Sequence, residues 1–596
     1  MHRYGTRRSL GDYEIYGGEG DDRLFGNNGV DLLVGGDGAD TFVGGEGADT
    51  IDGGSGGDVA DYGYDRVPVF VDLALGTGRG GHAEGDVLTG IENLIGSHGD
   101  DVLLGDEGNN TIRGGSGADK IDGRGGRDTL SYQASGWSGL VVDLAAGSGG
   151  TPGEVDTIAN IENVTGTSYD DVIRGDAANN LLRGGYGSDR LTGRAGADTI
   201  DGGTGLGMDI ADYEGSFWGV NIDLALGTAA GGDAEGDVLL NIEGLSGTGN
   251  LDQLLGDDGD NVLSGRGSQD SLHGRDGDDI LEGGAGPDLL DGGEGADWAV
   301  YAASGARGAG RVYVDLLVRT GGGNDATGDR LVSIENVRGT GFADTLLGSE
   351  GDNVLDGNGG ADQIAGYGGE DTIIVDERAR TDGGTGEDRL QIELSQAGSV
   401  DAVTGEASAG GRFWNFEAVT VIGSEGDDVA IGADGEDDFR GNGGSDLLLG
   451  GLGDDRLDGG DGRDYLRGGE GDDVLRGGRF HDSLRGGDGD DLLAGGHGND
   501  WLVGGAGSDE FLLAAEASSR DRILDFEVGE SGDVLHLDYY LSDRAGIRSL
   551  DELVDHATET EEGLYIDLSG ESAWPLGVLI EGIRAVDLTD DNVMFG

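Results

Sequence analysis

The chain has 596 residues, with 131 glycines, 4 prolines, no cysteine, and 37 Lys+Arg against 119 Asp+Glu for a formal net charge of −82. That balance excludes collagen, which needs glycine at every third position with abundant proline, and nucleic acid as a partner, because phosphate carries the same sign. It leaves no disulfide to staple a loop-rich fold, no apolar run near the roughly 18 residues of a membrane helix, and a self-repulsion that only bound cations would relieve.

Residues 1–16 are read as a leader: Met1 to Arg8 has the basic start of a signal peptide, but no apolar run follows. From residue 17 to 422 a nonapeptide recurs in blocks beginning near Gly17, Gly96, Gly166, Gly247 and Gly339, and from Gly423 to Leu512 it runs as ten consecutive nines. Gly450-Gly-Leu-Gly-Asp-Asp455-Arg-Leu457-Asp is followed by GGDGRDYLR, GGEGDDVLR and, later, GGDGDDLLA. The consensus is G-G-x-G-x-D-x-U-x with U apolar, and roughly 35 such units cover more than half of the chain.

Glycines at positions 1, 2 and 4 open backbone angles closed to other residues, so the first six residues predict a tight turn. The last three predict a short strand with its apolar residue on one side. Two nonapeptides then complete one coil, and stacked coils build a thin core from Leu457, Leu466, Leu475, Leu484 and Leu493. The position-6 aspartate presents a carboxylate to a loop rich in carbonyls. Hard oxygen donors with no His or Cys nearby suit calcium rather than zinc or copper.

The candidate ligands are Asp22, Asp31, Asp40 and Asp49 in the first block; Asp101, Asp119 and Asp128 in the second; and Asp171, Asp189 and Asp198 in the third. Next come Asp270, Asp279, Asp288 and Asp297, then Asp344, Asp362 and Asp371. The long run adds Asp428, Asp437, Asp446, Asp455, Asp464, Asp473, Asp482, Asp491, Asp500 and Asp509. About 30 calcium ions would supply about +60 against the −82.

These units resemble the RTX (repeats-in-toxin) haemolysin-type calcium-binding repeats of bacterial type I secreted proteins. The resemblance implies an all-β fold, a right-handed parallel β-roll with calcium between successive turns, held by the position-6 aspartates and turn carbonyls. It also implies export through a type I secretion apparatus to the extracellular side, which fits the absence of a signal peptide and of cysteine.

A longer motif separates the blocks. Four blocks close on Tyr62, Tyr132, Tyr213 and Tyr301, spaced 70, 81 and 88 residues apart, as a solenoid grows by added coils. Then come alternating segments, Val69–Leu73, Leu140–Leu144, Val220–Leu224 and Val312–Leu316, an acidic glycine-rich turn, and Ile91-Glu92-Asn93 with its partners at Ile161, Ile242 and Ile334. Phe416-Glu417-Ala418 reads as a fifth, worn copy. The spacers are expected to be broader β coils of the same solenoid. The second unit of each inner block carries Asn110, Asn180, Asn261 or Asn353 at position 6, which should weaken any calcium site there.

Residues 513–596 lose the repeat. Strands are predicted at Asp521–Phe526, Asp533–Leu537, Leu564–Leu568, Val578–Ile580 and near Val593–Phe595, and Ser549-Leu-Asp-Glu552 reads as a capping box opening a helix to about Ala557. This order resembles the C-terminal cap and uncleaved export signal of type I secreted RTX proteins.

No catalytic motif stands out. HExxH is absent, and no GxSxG sits between a strand and a helix. The eight histidines are scattered, and His273, His481 and His497 read as exposed repeat positions. Spacer acids Asp72, Glu84 and Asp86, with Asp223, Glu235 and Asp237, could form a glycosidase-like pair but read first as extra calcium turns or solvated strands. The block-end tyrosines with Trp298, Trp414 and Trp501 read as strand-end packing, with sugar stacking the alternative. The expectation is a non-enzymatic, extracellular calcium-binding β-roll with a surface, matrix or adhesive role, and cell-surface or matrix polysaccharide as a candidate partner. The alternatives are a polysaccharide-modifying or hydrolytic enzyme with its site in the spacers, or the C-terminal part of a longer RTX protein.

Overall fold

The computed structural model describes residues 6–7, 11–133, 138–301, 310–513, 520–529, 532–537, 547–569 and 576–595. Most of the basic start of the leader lies outside them. The chain forms two compact units, Met1–Asp297 and Trp298–Gly596. Each is a parallel β-roll of two sheets, built from strands of mostly three to six residues.

Strands eighteen residues apart pair in parallel register, so consecutive nonapeptides alternate between the sheets. Leu457, Leu475 and Leu493 stack in one sheet, and Leu466, Leu484 and Leu502 in the other. All six are fully buried. Positions 1, 6 and 8 of a unit face inward, which leaves one apolar side chain per nonapeptide to stabilise the fold hydrophobically, about 1.5–3 kcal/mol each. Position 2 and position 4 take left-handed angles, as at Gly469 (φ 146°) and Gly471 (φ 130°). Where another residue stands there, as Arg194 (φ 68°) or Phe480 (φ 80°) does, it is held in a conformation that L side chains disfavour.

The first roll strand, Tyr13–Glu19, pairs with Leu32–Asp37, so the roll starts inside the segment taken as a leader. Ile15 is buried and pairs with Leu33, the position-8 residue of the unit one coil on.

Each spacer inserts an antiparallel excursion into one sheet. In the first, Phe70–Asp72 runs antiparallel to Thr77–Arg79, which runs antiparallel to Val87–Thr89. The outer strands pair in parallel with the flanking coils, Val102–Leu104 and Thr50–Ser55. The same order recurs at Val141–Asp143, Asn221–Asp223 and, with Glu406–Ala407 as the short middle strand, at Ser399–Asp401. The spacers therefore continue the stacking within each unit.

The tail prolongs both sheets: Arg520–Ile523 pairs with Trp501–Ala506 and Val534–Leu537 with Glu510–Leu513, before Gly577–Glu581 and Val593–Phe595 add a further strand to each. The helix Leu550–Asp555 is capped by Ser549, whose hydroxyl accepts the Glu552 amide at 3.3 Å. The reciprocal bond goes one residue further back, from the Arg548 amide to Glu552 Oε2 at 2.7 Å.

Candidate calcium-binding turns

Most turns end in a carboxylate that joins two coils. Within the blocks, the Oδ1 of a position-6 aspartate accepts the backbone N–H of the corresponding residue one coil earlier. Asp446 donates to Asp464 at 2.8 Å, and Asp464 to Asp482 at 2.9 Å. The same bond links Asp31 to Asp49 and Asp437 to Asp455.

The second oxygen has a different fate. At Asp31, Asp40, Asp49, Asp119, Asp128, Asp189, Asp198, Asp270, Asp279, Asp362, Asp371, Asp446, Asp455, Asp464, Asp482 and Asp509 it is buried and makes no hydrogen bond. It lies over the position-1 glycine, beside a carbonyl of the next coil. A Cβ at Gly441 would stand 2.1 Å from Asp446 Oδ2 and 2.4 Å from the Gly459 carbonyl; one at Gly459 would meet Asp464 Oδ2 at 2.5 Å and the Gly477 carbonyl at 2.7 Å. Asp22, Asp288, Asp297, Asp473, Asp491 and Asp500 occupy the same buried position.

Burying a carboxylate with an unsatisfied oxygen is costly. Burial, reinforced by the carboxylates one coil away, pushes Asp455 up to about 8, Asp482 to about 8 and Asp446 to about 7. Stacked carboxylate and carbonyl oxygens, with no nitrogen or sulfur donor, fit a hard divalent cation, which reverses this local pKa logic. Among the described residues no three His, Cys, Asp or Glu side chains converge on one point, so a bound ion would draw its remaining donors from the turn carbonyls beside the carboxylates. The aspartates with the carbonyls of their turns would hold the ion, and the ion would supply the positive charge that these pairs lack.

Five of the expected ligands are placed differently. Asp101, Asp171, Asp344 and Asp428 open a block, and position 2 of their turn is Ser97, Thr167, Thr340 or Ser424. Its amide donates to Oδ2 at 2.5–2.6 Å and its hydroxyl to the same carboxylate. Their Oδ1 atoms accept spacer amides, as from Val69 to Asp101 at 2.7 Å. Asp437 is held similarly by the amides of Val419 and Ala433. Both oxygens of each of these carboxylates accept hydrogen bonds within the protein.

Two residues absent from the expected set have the orphan oxygen: Asp58 and Asp388. Both end regular turns, GGSGGD at 53–58 and GGTGED at 383–388, so the signal was the same motif in register. Asp209 closes a turn lengthened by two residues, and its Oδ1 accepts the Asp189 amide at 2.8 Å.

The spacer residues also acquire roles. Tyr62 donates its hydroxyl to Asp86 Oδ2 at 3.0 Å, Tyr132 to Asp156 at 2.7 Å, Tyr213 to Asp237 at 3.0 Å and Tyr301 to Asp329 at 3.2 Å, all buried. Asp86 and Asp237 are therefore not solvated strand residues. Each takes the place of the next coil's aspartate, accepting the amide of Asp49 or Asp198, and a tyrosine hydroxyl satisfies the oxygen that is orphaned elsewhere. The Ile-Glu-Asn glutamates do likewise: Glu92, Glu162 and Glu243 accept the amides of Asp58, Asp128 and Asp209, and Glu417 that of Asp388. Asn110 accepts the Asp106 amide and donates to the Glu92 carbonyl, both at 2.8 Å. Asp72, Asp143 and Asp223 are gripped by Arg124, Arg194 and Arg275, each of which also donates to a position-1 carbonyl one coil back.

Fold and turns together define a calcium-binding β-roll. The RTX calcium-binding nonapeptide repeat matches residues 14–33, 25–60, 95–130, 159–185, 175–206, 246–281, 273–301, 338–373, 420–448, 449–484 and 476–511, more than half of the chain. The chain belongs to this family, and its repeats bind many calcium ions. No curated protein matches it. Among solved structures, the extracellular lipase LipA from Serratia marcescens is similar at 18% identity with a TM-score of 0.13, over 58% of this chain. This chain spans 40% of the lipase's length, and so distant a likeness carries no argument.

Proposed function

We propose that this protein is exported through a type I secretion apparatus and folds outside the cell on binding calcium, to serve as a surface, matrix or adhesive scaffold. The observation that supports this reading is the stack of buried carboxylates with orphaned oxygens, most of them pushed to about 6–8 from the 3.8 of an ordinary aspartate. In a calcium-poor interior such a stack repels itself, which keeps the chain unfolded. Extracellular modules of this kind bind calcium with Kd on the order of 10⁻⁴–10⁻³ M, and a ligand that binds only the folded state stabilises it by mass action.

In this reading the chain has no catalytic role. The spacer acids that an enzyme would need are committed: Asp86 and Asp237 to tyrosine hydroxyls and amides, Asp72 and Asp223 to arginines. Far-UV circular dichroism during a calcium titration of metal-free protein tests the reading, with magnesium as control. A cooperative gain of β structure with calcium alone, reversed by chelator, is expected. A chain fully folded in chelator would overturn it.

A further inference from the structure

At the joints where the first three spacers meet the blocks that follow them, the turn already holds a cation. In a regular turn the carboxylate of one coil lies beside the position-1 carbonyl of the next, as that of Asp446 does beside Gly459. At the first joint the corresponding pair is Asp72, which ends the spacer strand Phe70–Asp72, and Gly105, one rung on, because Leu104 is level with Asp72. Arg124 belongs to the rung after that, where Asp122 is level with Leu104. Its guanidinium reaches back across both rungs. Nη1 donates to Asp72 Oδ1 and to the Gly105 carbonyl, each at 2.8 Å, and Nη2 donates to Asp72 Oδ2 at 2.7 Å. Arg194 bridges Asp143 and the Gly175 carbonyl in the same way, and Arg275 bridges Asp223 and the Gly256 carbonyl.

Other features set these joints apart. Arg124, Arg194 and Arg275 stand at position 2 with φ of 70°, 68° and 91°, where glycine is the ordinary choice, so each is held against a backbone penalty. The turn between the two rungs ends in Asn110, Asn180 or Asn261. Each side-chain oxygen accepts an amide of its own turn, and each side-chain nitrogen donates to the carbonyl of Glu92, Glu162 or Glu243. The carboxylate is thus missing where a divalent ion would sit one rung, roughly 4.8 Å, from the guanidinium. Asp72, Asp143 and Asp223 are held below the ordinary carboxylate range, foremost by the arginine hydrogen bonds, whereas burial raises Asp446 and Asp455. The fourth joint keeps Asn353 but has Tyr367 at position 2, and Asp315 there accepts the Tyr313 hydroxyl at 3.0 Å.

We propose that Arg124, Arg194 and Arg275 are resident cations, standing where the regular turns take calcium, so that these three joints bind no calcium ion. A guanidinium stays charged throughout the accessible pH range and meets a carboxylate through two parallel hydrogen bonds. It competes with a calcium ion for the same carboxylate and carbonyl oxygens, and like charge keeps the two from sharing them. Each spacer strand is thereby tied to the next two coils by a contact that does not follow the calcium concentration.

Calcium bound to the full chain is counted by equilibrium dialysis at saturating calcium. The wild type is compared with Arg124→Gly, Arg194→Gly and Arg275→Gly combined, and with the same three positions changed to lysine. Glycine suits the left-handed backbone and bares the carboxylate and carbonyl, so one further ion per joint is expected. Lysine keeps a positive charge in the joint, and no gain is expected. Hydrogen exchange at Phe70–Asp72 should quicken roughly tenfold in the folded glycine variant as calcium is lowered towards its midpoint, and should not change in the wild type. Should the combined variant not fold, Arg124→Gly alone is read by the same exchange. An unchanged calcium count in the folded glycine variant, an equal gain with lysine, or wild-type exchange that follows calcium as the variant's does would each overturn the proposal.

Discussion

Replacing Asp464 by Asn should have opposite effects with and without calcium. Asp464 is 2% exposed; its Oδ1 accepts the Asp446 amide at 2.8 Å, and its Oδ2 has no partner. Burial pushes its carboxyl up to about 6 from 3.8, about 2 pKa units, or at most about 3 kcal/mol of penalty for the ionised form at neutral pH. The amide keeps the Oδ1 bond and carries no charge. In chelator, Asp464→Asn should therefore stabilise the local fold by about 1–3 kcal/mol. Asn110 shows that an amide is tolerated at this position. In calcium the same substitution removes a charged donor, worth about 1.5–3 kcal/mol, and the calcium midpoint should rise. Hydrogen exchange of the Tyr465–Glu470 strand, followed across a calcium titration, reads both effects locally, as suits a repeat array whose neighbours dominate stability. Asp590→Asn, at an exposed position of the tail, is the control. Destabilisation in both conditions, or no change in either, would refute the reasoning.

Acid should substitute in part for calcium. Asp49 and Asp119 are raised to about 7, and Asp270 and Asp455 to about 8, chiefly by burial. Folded values above the unfolded value mean that the calcium-free fold is most stable below about 3.8 and loses stability as pH rises through 6–8. Chelated protein brought from pH 8.5 to pH 5 should gain β structure by circular dichroism; a flat profile would contradict the burial of these groups. Tyr213→Phe strips the hydroxyl from Asp237 Oδ2 and leaves a buried acceptor unsatisfied, so it should cost about 1–3 kcal/mol in denaturant melts with calcium present. Tyr186→Phe, 60% exposed, should cost nothing, and equal melts for the two variants would remove the role given to Tyr213.

The period of nine carried most of the architecture. A glycine turn followed by one inward apolar residue has few ways to bury that residue, and Leu457 to Leu493 stack as the spacing implies. The buried place of the position-6 aspartates at the ends of the turns was legible for the same reason, that of Asp58 and Asp388 included, because their turns match the motif. The Ser549 cap was readable because capping is local.

Other features were invisible because they join residues that only stacking brings together. Tyr62 and Asp86 lie 24 positions apart and Arg124 and Asp72 lie 52 apart, separations that recur from spacer to spacer but say nothing of contact until the coils stack. The antiparallel pair of strands added within each spacer depends on which flanking coils accept it. Ser97 and Asp101 share one turn, yet whether the hydroxyl saturates that carboxylate depends on the neighbouring coil that takes its other oxygen. The sequence by itself determined the coil, its core and the oxygen chemistry of its turns, because these repeat within nine residues. Only the tertiary structure decided which carboxylates keep an oxygen without a hydrogen bond and which are satisfied by hydroxyls, amides and guanidinium groups, because each depends on contacts made a full coil or more away.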